Sequence, residues 1–475
     1  MIRLPCCIEV DGDYAPKARY ALAALLEPLG LGPVWVERSS LSDLSLYYGS
    51  ANQGLPEGTI ELALGEGVQE FFRARKAPYP SGIWWEQRKD VRYPVLFGSD
   101  DREDWVASAF YWLSGWQEYR IADRDIHGRF PHSASLQHTL HSTTLPVVEV
   151  YRQNLQDHLS QAGLRTAARQ WGGESWTLCP TIDVDYVRKW RKGIFYREIV
   201  EYFLLNRLRE PVRSRTARLG KGARQAAHHP DPFKSALNRM LARVSRHGSG
   251  TLFLKTAAHG PQDVYYNPRS RFLKRVAETC QQLGLQIGLH PSYHAYTHRE
   301  YMQQERALLS ELTGEYPGAV RQHFLRCDPP YTHRLQEACG FNIDSTLGFA
   351  TQVGFRNGTC LPFRVFDVEA NCAMDLWEFP LAVMDSALFN RQDLTVGEAI
   401  DETKLVLGQC ARYGGAGVVL WHNVLWDEID FPGWGHHFES VMEWAAASGA
   451  QIMSLQGALE SWLGYPVGTQ GAQAG

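Results

Sequence analysis

Three apolar runs in this chain end in side chains that can bind metal or move protons. The first reads Thr181-Ile182-Asp183-Val184-Asp185 at its end. Two carboxylates close behind a strand can serve a metal and a general base together. A turn after a strand also carries Asp simply to bond its own backbone. The second run, Leu285-Gln286-Ile287-Gly288-Leu289, leads into His290-Pro291-Ser292-Tyr293-His294. Two His four apart can face one side of a helical turn, about 6 Å apart along the axis. That spacing suits a metal held at roughly 2.0–2.1 Å from each nitrogen, and Pro291 fits a first helical turn. In a chain with 17 His the same spacing also arises in exposed loops, and His298 extends the row. The third run, Val418-Val419-Leu420-Trp421, ends in His422-Asn423. It sets an imidazole at a strand's C-terminal rim, where it could act on a ligand or be a hydrogen-bonded barrel histidine. Arg321, in Gly318-Ala319-Val320-Arg321-Gln322-His323-Phe324, needs a carboxylate partner if buried.

The elements that must position these residues follow from hydrophobic periodicity. Strand candidates are Thr177–Asp183, Thr251–Lys255, Leu285–His290, Ala319–Leu325, Leu376–Leu381 and Ala416–His422. Helical stretches Ser270–Leu283, Arg299–Leu312 and Val396–Tyr413 lie between several of them. Strand and helix alternating in this way predicts a parallel α/β fold, barrel or open sheet. In both, working residues sit at the C-terminal ends of strands. Residues 1 to about 170 mix strand-like runs (Thr59–Leu64, Tyr93–Phe97) with helices expected near Asp104–Tyr119 and Val147–Leu159. Asp100, Asp101 and Asp104 crowd the start of the first helix, as the helix dipole favours. No catalytic constellation is visible there, so packing or a substrate rim is its expected role.

Between the first two barrel-type strands, residues 188–246 hold 16 Lys/Arg against 4 Asp/Glu, an excess of +12 in a chain whose net charge is -4. A helical insertion is expected there. Its aromatic and aliphatic run Phe195–Leu205 could lie at a membrane surface. The favoured expectation is that its apolar side packs on the barrel, with the charges solvated or paired with the acidic N-terminal domain.

Bulk composition narrows the function. The chain has 475 residues, 44% hydrophobic and 21% charged, which fits a soluble globular protein of two or three domains. The near-neutral balance gives no reason to expect nucleic acid. No run of 18 apolar residues suggests a membrane span, and the N-terminus does not read as a secretory signal. Nine scattered Cys without a CxxC fit a reducing cytoplasm better than a disulfide framework.

Taken together, Asp-x-Asp, His-x-x-x-His, a strand bearing Arg, and a last strand ending in Leu-x-His resemble in order and spacing the polysaccharide deacetylases, the NodB-homology or carbohydrate-esterase family four. The likeness covers about residues 176–460 apart from the basic insertion. Phe341-Asn342-Ile343-Asp344-Ser345-Thr346-Leu347-Gly348-Phe349 and Gly354-Phe355-Arg356-Asn357-Gly358-Thr359 resemble one bacterial branch of it. The helix with Trp105 and Trp116, followed by Asp125-Ile126-His127-Gly128-Arg129-Phe130, resembles that branch's extra N-terminal domain. The resemblance implies an irregular (β/α) barrel over 175–465, interrupted at about 188–246, after a separate α/β domain at 1–170. It implies a hydrolase removing acetyl groups from N-acetylated sugars of a cell-surface polysaccharide or its precursor. Other amides, O-acetyl esters and a non-catalytic glycan-binding role stand as alternatives. Carried over, Asp183 is the base, Asp185, His290 and His294 hold a divalent metal, Arg321 orients Asp183, and His422 is the acid. Zinc is the first expectation, with Fe, Co or Ni also suited to such ligands. Arg326 rivals Arg321, and Asp375, Glu378 and Asp385 are candidate partners for His422.

Overall fold

The computed structural model describes residues 1–50, 54–99, 102–227, 231–391 and 394–467. Near the N-terminus, β1 (Ile2–Glu9), β2 (Leu31–Trp35), β3 (Leu46–Gly49) and β4 (Ile60–Leu62) form a parallel sheet in the order β2-β1-β3-β4. Helices Ala15–Leu26, Trp105–Leu113 and Val147–Gln161 pack together beside it. Asp104 caps the second of these by accepting from the Ala107 N–H. Asp100 and Asp101 lie outside the described residues. The helix expected to run to Tyr119 stops at Leu113, because Gly115 takes a left-handed φ of 63° and starts a separate 3-10 turn, Trp116–Tyr119.

The larger sheet carries the polar clusters. Eight of its ten strands are β5 (Trp176–Val184), β6 (Thr251–Leu254), β7 (Gln286–Leu289), β8 (Ala319–Val320), β9 (Ile343–Asp344), β10 (Cys372–Glu378), β11 (Leu381–Met384) and β12 (Ala416–His422); Phe363–Asp367 edges β10 and Ala450–Ile452 pairs with the start of β5. Each of β5 to β9 pairs in parallel with the next, β9 pairs β10, β11 pairs β12, and β12 returns to β5. Only Phe379 and Pro380 separate β10 from β11, yet they stand on opposite sides of the sheet, β11 at one end and β10 next to the antiparallel edge strand Phe363–Asp367 at the other. The Phe379 N–H still bonds Asp344 O at 2.9 Å, and the Leu381 N–H bonds Leu347 O at 3.0 Å. Pro380 between them has no N–H to give, and there the stave changes neighbour. The result is an irregular (β/α) barrel with a seam. It also explains why the single strand expected over Leu376–Leu381 appears as two.

Helices Arg271–Gln282, Arg299–Thr313, Tyr331–Ala338 and Val396–Tyr413 cross between successive staves; the first and last bury mainly apolar faces, whereas Arg299–Thr313 also buries Glu305 and Arg306, and Tyr331–Ala338 buries Thr332, His333 and Gln336 beside Leu335. The basic stretch also ends in such a helix. Pro232–His247 buries Phe233, Ala236, Leu237, Met240, Leu241 and Val244 and is the crossover from β5 to β6. The part that protrudes is therefore the preceding lobe, built from Lys192–Tyr196, the π-helical Arg197–Leu204 and Val212–Ala227.

The two sheets share one continuous apolar core. A buried ion pair crosses between the parts: Arg356 Nη2 lies 2.6 Å from Glu118 Oε2, and its Nε donates to Oε1 at 2.8 Å. All nine Cys are free thiols, eight of them buried. Among the described residues, no helix is long and apolar enough to cross a membrane.

Candidate active site

The C-terminal rim of the barrel gathers Asp183, Asp185, His290 and His422 around a cavity of about 440 Å³. Asp183 is the penultimate residue of β5 and Asp185 follows the strand. His290 comes directly after β7, and His422 ends β12. These four stand where the sequence places them, at strand ends. Phe324, Leu325, Met384, Phe389 and Phe431 supply apolar wall.

His294 is not part of this group, and His323 takes its place. Residues 290–292 are not helical, and a 3-10 turn begins only at Ala295, so the four-residue spacing never brings the two imidazoles to one face. The β8 strand meanwhile ends at Val320, not at Leu325 as expected, and the chain turns sharply through Phe324 and Leu325, whose φ values are 61° and 55°. That turn delivers His323 to the rim. Asp185 Oδ1 lies 3.2 Å from His323 Nε2, 3.4 Å from His290 Nε2 and 3.6 Å from Lys255 Nζ.

The donor set suits a cation. His290 Nδ1 lies 2.7 Å from Arg321 O, and His323 Nδ1 lies 2.8 Å from Asp263 Oδ1. Each Nδ1 thus has an acceptor that holds its proton there, leaving an Nε2 lone pair facing Asp185. The Asp185 Oδ1 and Asp183 Oδ1 atoms are buried and accept no hydrogen bond. Asp185, His290 and His323 each offer one ligand atom, all within 4.8 Å of one another. Burial opposes the charge on Asp185, but the neighbouring His323 and His290 imidazoles and the Lys255 ammonium outweigh it and hold the carboxyl well below its usual range. For His323, burial pulls the imidazole down while Asp185 and Asp263 push it above its ordinary value.

Asp183 Oδ2 lies 3.8 Å from His290 Nε2, and its Oδ1 lies 3.7 Å from Arg321 Nη1. Arg321 is fully buried. It donates to Thr181 Oγ1 at 2.9 Å and to Ser345 Oγ at 2.8 Å, so its hold on Asp183 is Coulombic. Arg326, the rival, lies between the Tyr293 and Tyr296 rings, 3.9 Å from each centroid, away from Asp183's strand.

His422 turns Nε2 toward Asp185 Oδ2, 3.8 Å away, and sets Nδ1 2.8 Å from Asp385 Oδ1. Asp385 Oδ2 also accepts the His422 backbone N–H at 2.6 Å. Burial lowers the imidazole, yet Asp385, with Asp185 and Asp183 behind it, pushes it up to about 10. Of the three candidate partners only Asp385 is here. Asp375 is exposed and pairs with Arg364. Glu378 is buried behind Arg321 with Asp344 and His333. There burial and its neighbour Asp344 raise it well above the carboxyl range.

Sequence reasoning missed His323 and Asp263. His323 had a signal, since it stands two residues past Arg321 at a strand end. Asp263 lies in a loop without pattern. It accepts the His259, Gly260 and Tyr293 N–H groups as well as His323. The N-terminal part also reaches the cavity. His127 and Arg129 line it. They are held by Arg129 Nη1 donating to Phe324 O at 3.0 Å and by Arg326 Nε donating to His127 O at 2.7 Å. That is the rim role expected of this segment.

Comparison with known proteins gives a partial match. A family of unknown function, DUF7033, matches residues 58–163. No curated protein matches the chain. Among solved structures, similarity is found to a Mycobacterium smegmatis protein described as a polysaccharide deacetylase, at 18% identity and TM-score 0.39, over 59% of this chain and 86% of that one. The peptidoglycan deacetylase PdaC of Bacillus subtilis matches at 10% and 0.31, over 60% and 91%. BA3943 of Bacillus anthracis, described as a CE4 family pseudoenzyme, matches at 9% and 0.30, over 61% and 66%. Likeness at this level assigns neither activity nor substrate to the chain.

Proposed function

We propose that the protein is a metal-dependent hydrolase that removes acetyl groups from N-acetylated sugars of a cell-surface polysaccharide or its precursor, working in the cytoplasm. The observation that carries this reading is the pairing of a cation-suited trio, Asp185, His290 and His323, with a carboxylate and an imidazole on adjacent strand ends. The trio would hold one divalent ion. Zinc is the first choice for two nitrogens and an oxygen, with Fe, Co or Ni also suited. Such an ion polarises an acyl oxygen and acidifies water when bound.

The chain's own residues supply the proton steps. Asp183 takes the proton of the attacking water as general base. Arg321 keeps that carboxylate in place by charge at 3.7 Å. His422 carries its second proton on Nε2, facing the cavity, because Asp385 fixes the other on Nδ1. From there it protonates the departing sugar amine as the C–N bond breaks. The apolar walls around Phe324 and Phe389 exclude water and can accept an acetyl methyl and a sugar face.

The test is acetate release from a panel of N-acetylated oligosaccharides and O-acetyl esters, with and without chelator. Release from an N-acetyl substrate that chelator stops and Asp183→Asn abolishes is the expected result. Metal-loaded protein that releases no acetate from any N-acetylated sugar overturns it.

A further inference from the structure

We propose that the lobe between Lys192 and Ala227 is a docking surface for an anionic lipid bilayer. Phe195, Tyr196, Ile199, Leu204, Leu205, Leu208 and Val212 are all exposed, Leu204 by 63%, Leu205 by 59% and Val212 by 63%. Apolar side chains crowded so closely on an open surface mark an interaction site. These seven stay open to solvent, while Val200, Tyr202 and Phe203 of the same run are half-buried.

Basic side chains interleave with these residues along the lobe. Lys192, Arg207, Arg209, Arg213, Lys221 and Arg224 are exposed among or beside the apolar residues. Three of the four nearby acids already have partners, Glu201 among them through Arg207 at 3.4 Å. Glu198 is buried and bonded by Arg197 and Arg218, and Asp231 caps a helix and accepts the Lys189 N–H. Apolar side chains at the tip with cations at the flanks are the chemistry of an interfacial segment on anionic lipid. A second copy of the chain fits less well. A two-fold contact would set this basic patch against itself, and like charges would face each other.

The lobe is firmly placed. Buried Lys189 pairs with Asp427, and Arg197 and Arg218 pair with Asp430. Asp427 and Asp430 belong to the loop that follows His422 and borders the cavity through Leu425 and Phe431. A bilayer docked on the lobe therefore lies beside the cavity mouth, within reach of a lipid-linked substrate. The lipid-binding claim itself stands without the hydrolase reading.

Co-sedimentation of the full chain with vesicles decides it. Phosphatidylcholine vesicles containing phosphatidylglycerol should carry the protein down, salt should weaken this, and phosphatidylcholine alone should retain little. Arg207→Glu/Arg209→Glu/Arg213→Glu should weaken anionic binding by about a hundredfold or more. Leu204→Glu/Leu205→Glu should weaken it at least about tenfold. Both variants alter exposed residues and should keep the wild-type unfolding midpoint. No binding to anionic vesicles, equal binding by both variants, or a dimer that Leu204→Glu/Leu205→Glu converts to monomer would each overturn the proposal. Vesicle binding is read without turnover, so failure to release acetate would sink the hydrolase reading alone.

Discussion

Asp183 and His422 are register partners on neighbouring parallel strands, β5 and β12. Residues in register on adjacent strands point to the same face of a sheet. The carboxylate and the imidazole are therefore held together by backbone pairing, and neither depends on a loop for its position. The trio beside them is different, since Asp185, His290 and His323 all stand just past strand ends.

The metal trio can be told from the pattern His-x-x-x-His by mutation. His290→Ala and His323→Ala should each lose bound metal, whereas His294→Ala should keep about one ion per chain. Metal content of the purified variants by elemental analysis checks this. Loss of metal in His294→Ala with full occupancy in His323→Ala would restore the spacing-based assignment.

Asp183→Asn preserves shape and removes the carboxylate proposed as general base. Turnover should fall by roughly 10²-fold or more while metal content is unchanged. Kinetics and metal analysis on the same preparation give the answer, and near-normal turnover would place the base elsewhere.

Asp385→Asn should act through His422. The Asp385 carboxylate beside Nδ1 raises the imidazole, so its removal lowers that pKa from about 10. A general acid must be protonated, so the alkaline limb of the kcat/KM profile should move to lower pH. Stability follows the same sign. His422 is raised above its unfolded value of about 6.5. Its contribution is full below about 6.5 and is lost as pH rises through about 10. The midpoint gap between wild-type and Asp385→Asn proteins, measured without metal, should be widest in acid and narrow toward pH 10.

Arg356→Leu should destabilise the fold by about 3–5 kcal/mol, because it leaves the buried Glu118 carboxylate unpaired. Denaturant unfolding measures this. A single shifted transition would show the N-terminal part and the barrel unfolding as one unit, as their shared core requires.

Much of this was legible before any coordinates. The strand Ala416–His422 and the helix Val396–Tyr413 have the bounds read from their apolar periodicity, because both are long and regular. Asp183, Asp185, His290 and His422 were visible because each closes an apolar run. What stayed hidden depends on irregular backbone. His323 reaches the site through left-handed residues at Phe324 and Leu325, a geometry that side-chain periodicity does not encode. Asp385 lies past a stave that changes neighbour at Pro380, so its approach to His422 follows from barrel closure. The run Phe195–Leu205 has an apolar pattern read first as packing on the barrel, and periodicity does not foretell that Phe195, Tyr196, Ile199, Leu204 and Leu205 stay exposed.

The seam at Phe379–Pro380 also sets the order in which a growing chain can complete itself. Staves β5 to β9 can pair in sequence as they emerge, each finding the neighbour made just before it. Throughout that time β5 keeps one flank open, because the strand that fills it, β12, is synthesised after β6 to β11. A nascent chain that has not reached residue 416 holds Asp183, Asp185, His290 and His323 but presents an unpaired parallel edge beside them. Arrival of β12 closes that edge and brings His422 in the same step. The imidazole proposed as proton donor is thus delivered by the strand that covers this edge, and a chain that stops before residue 416 lacks it.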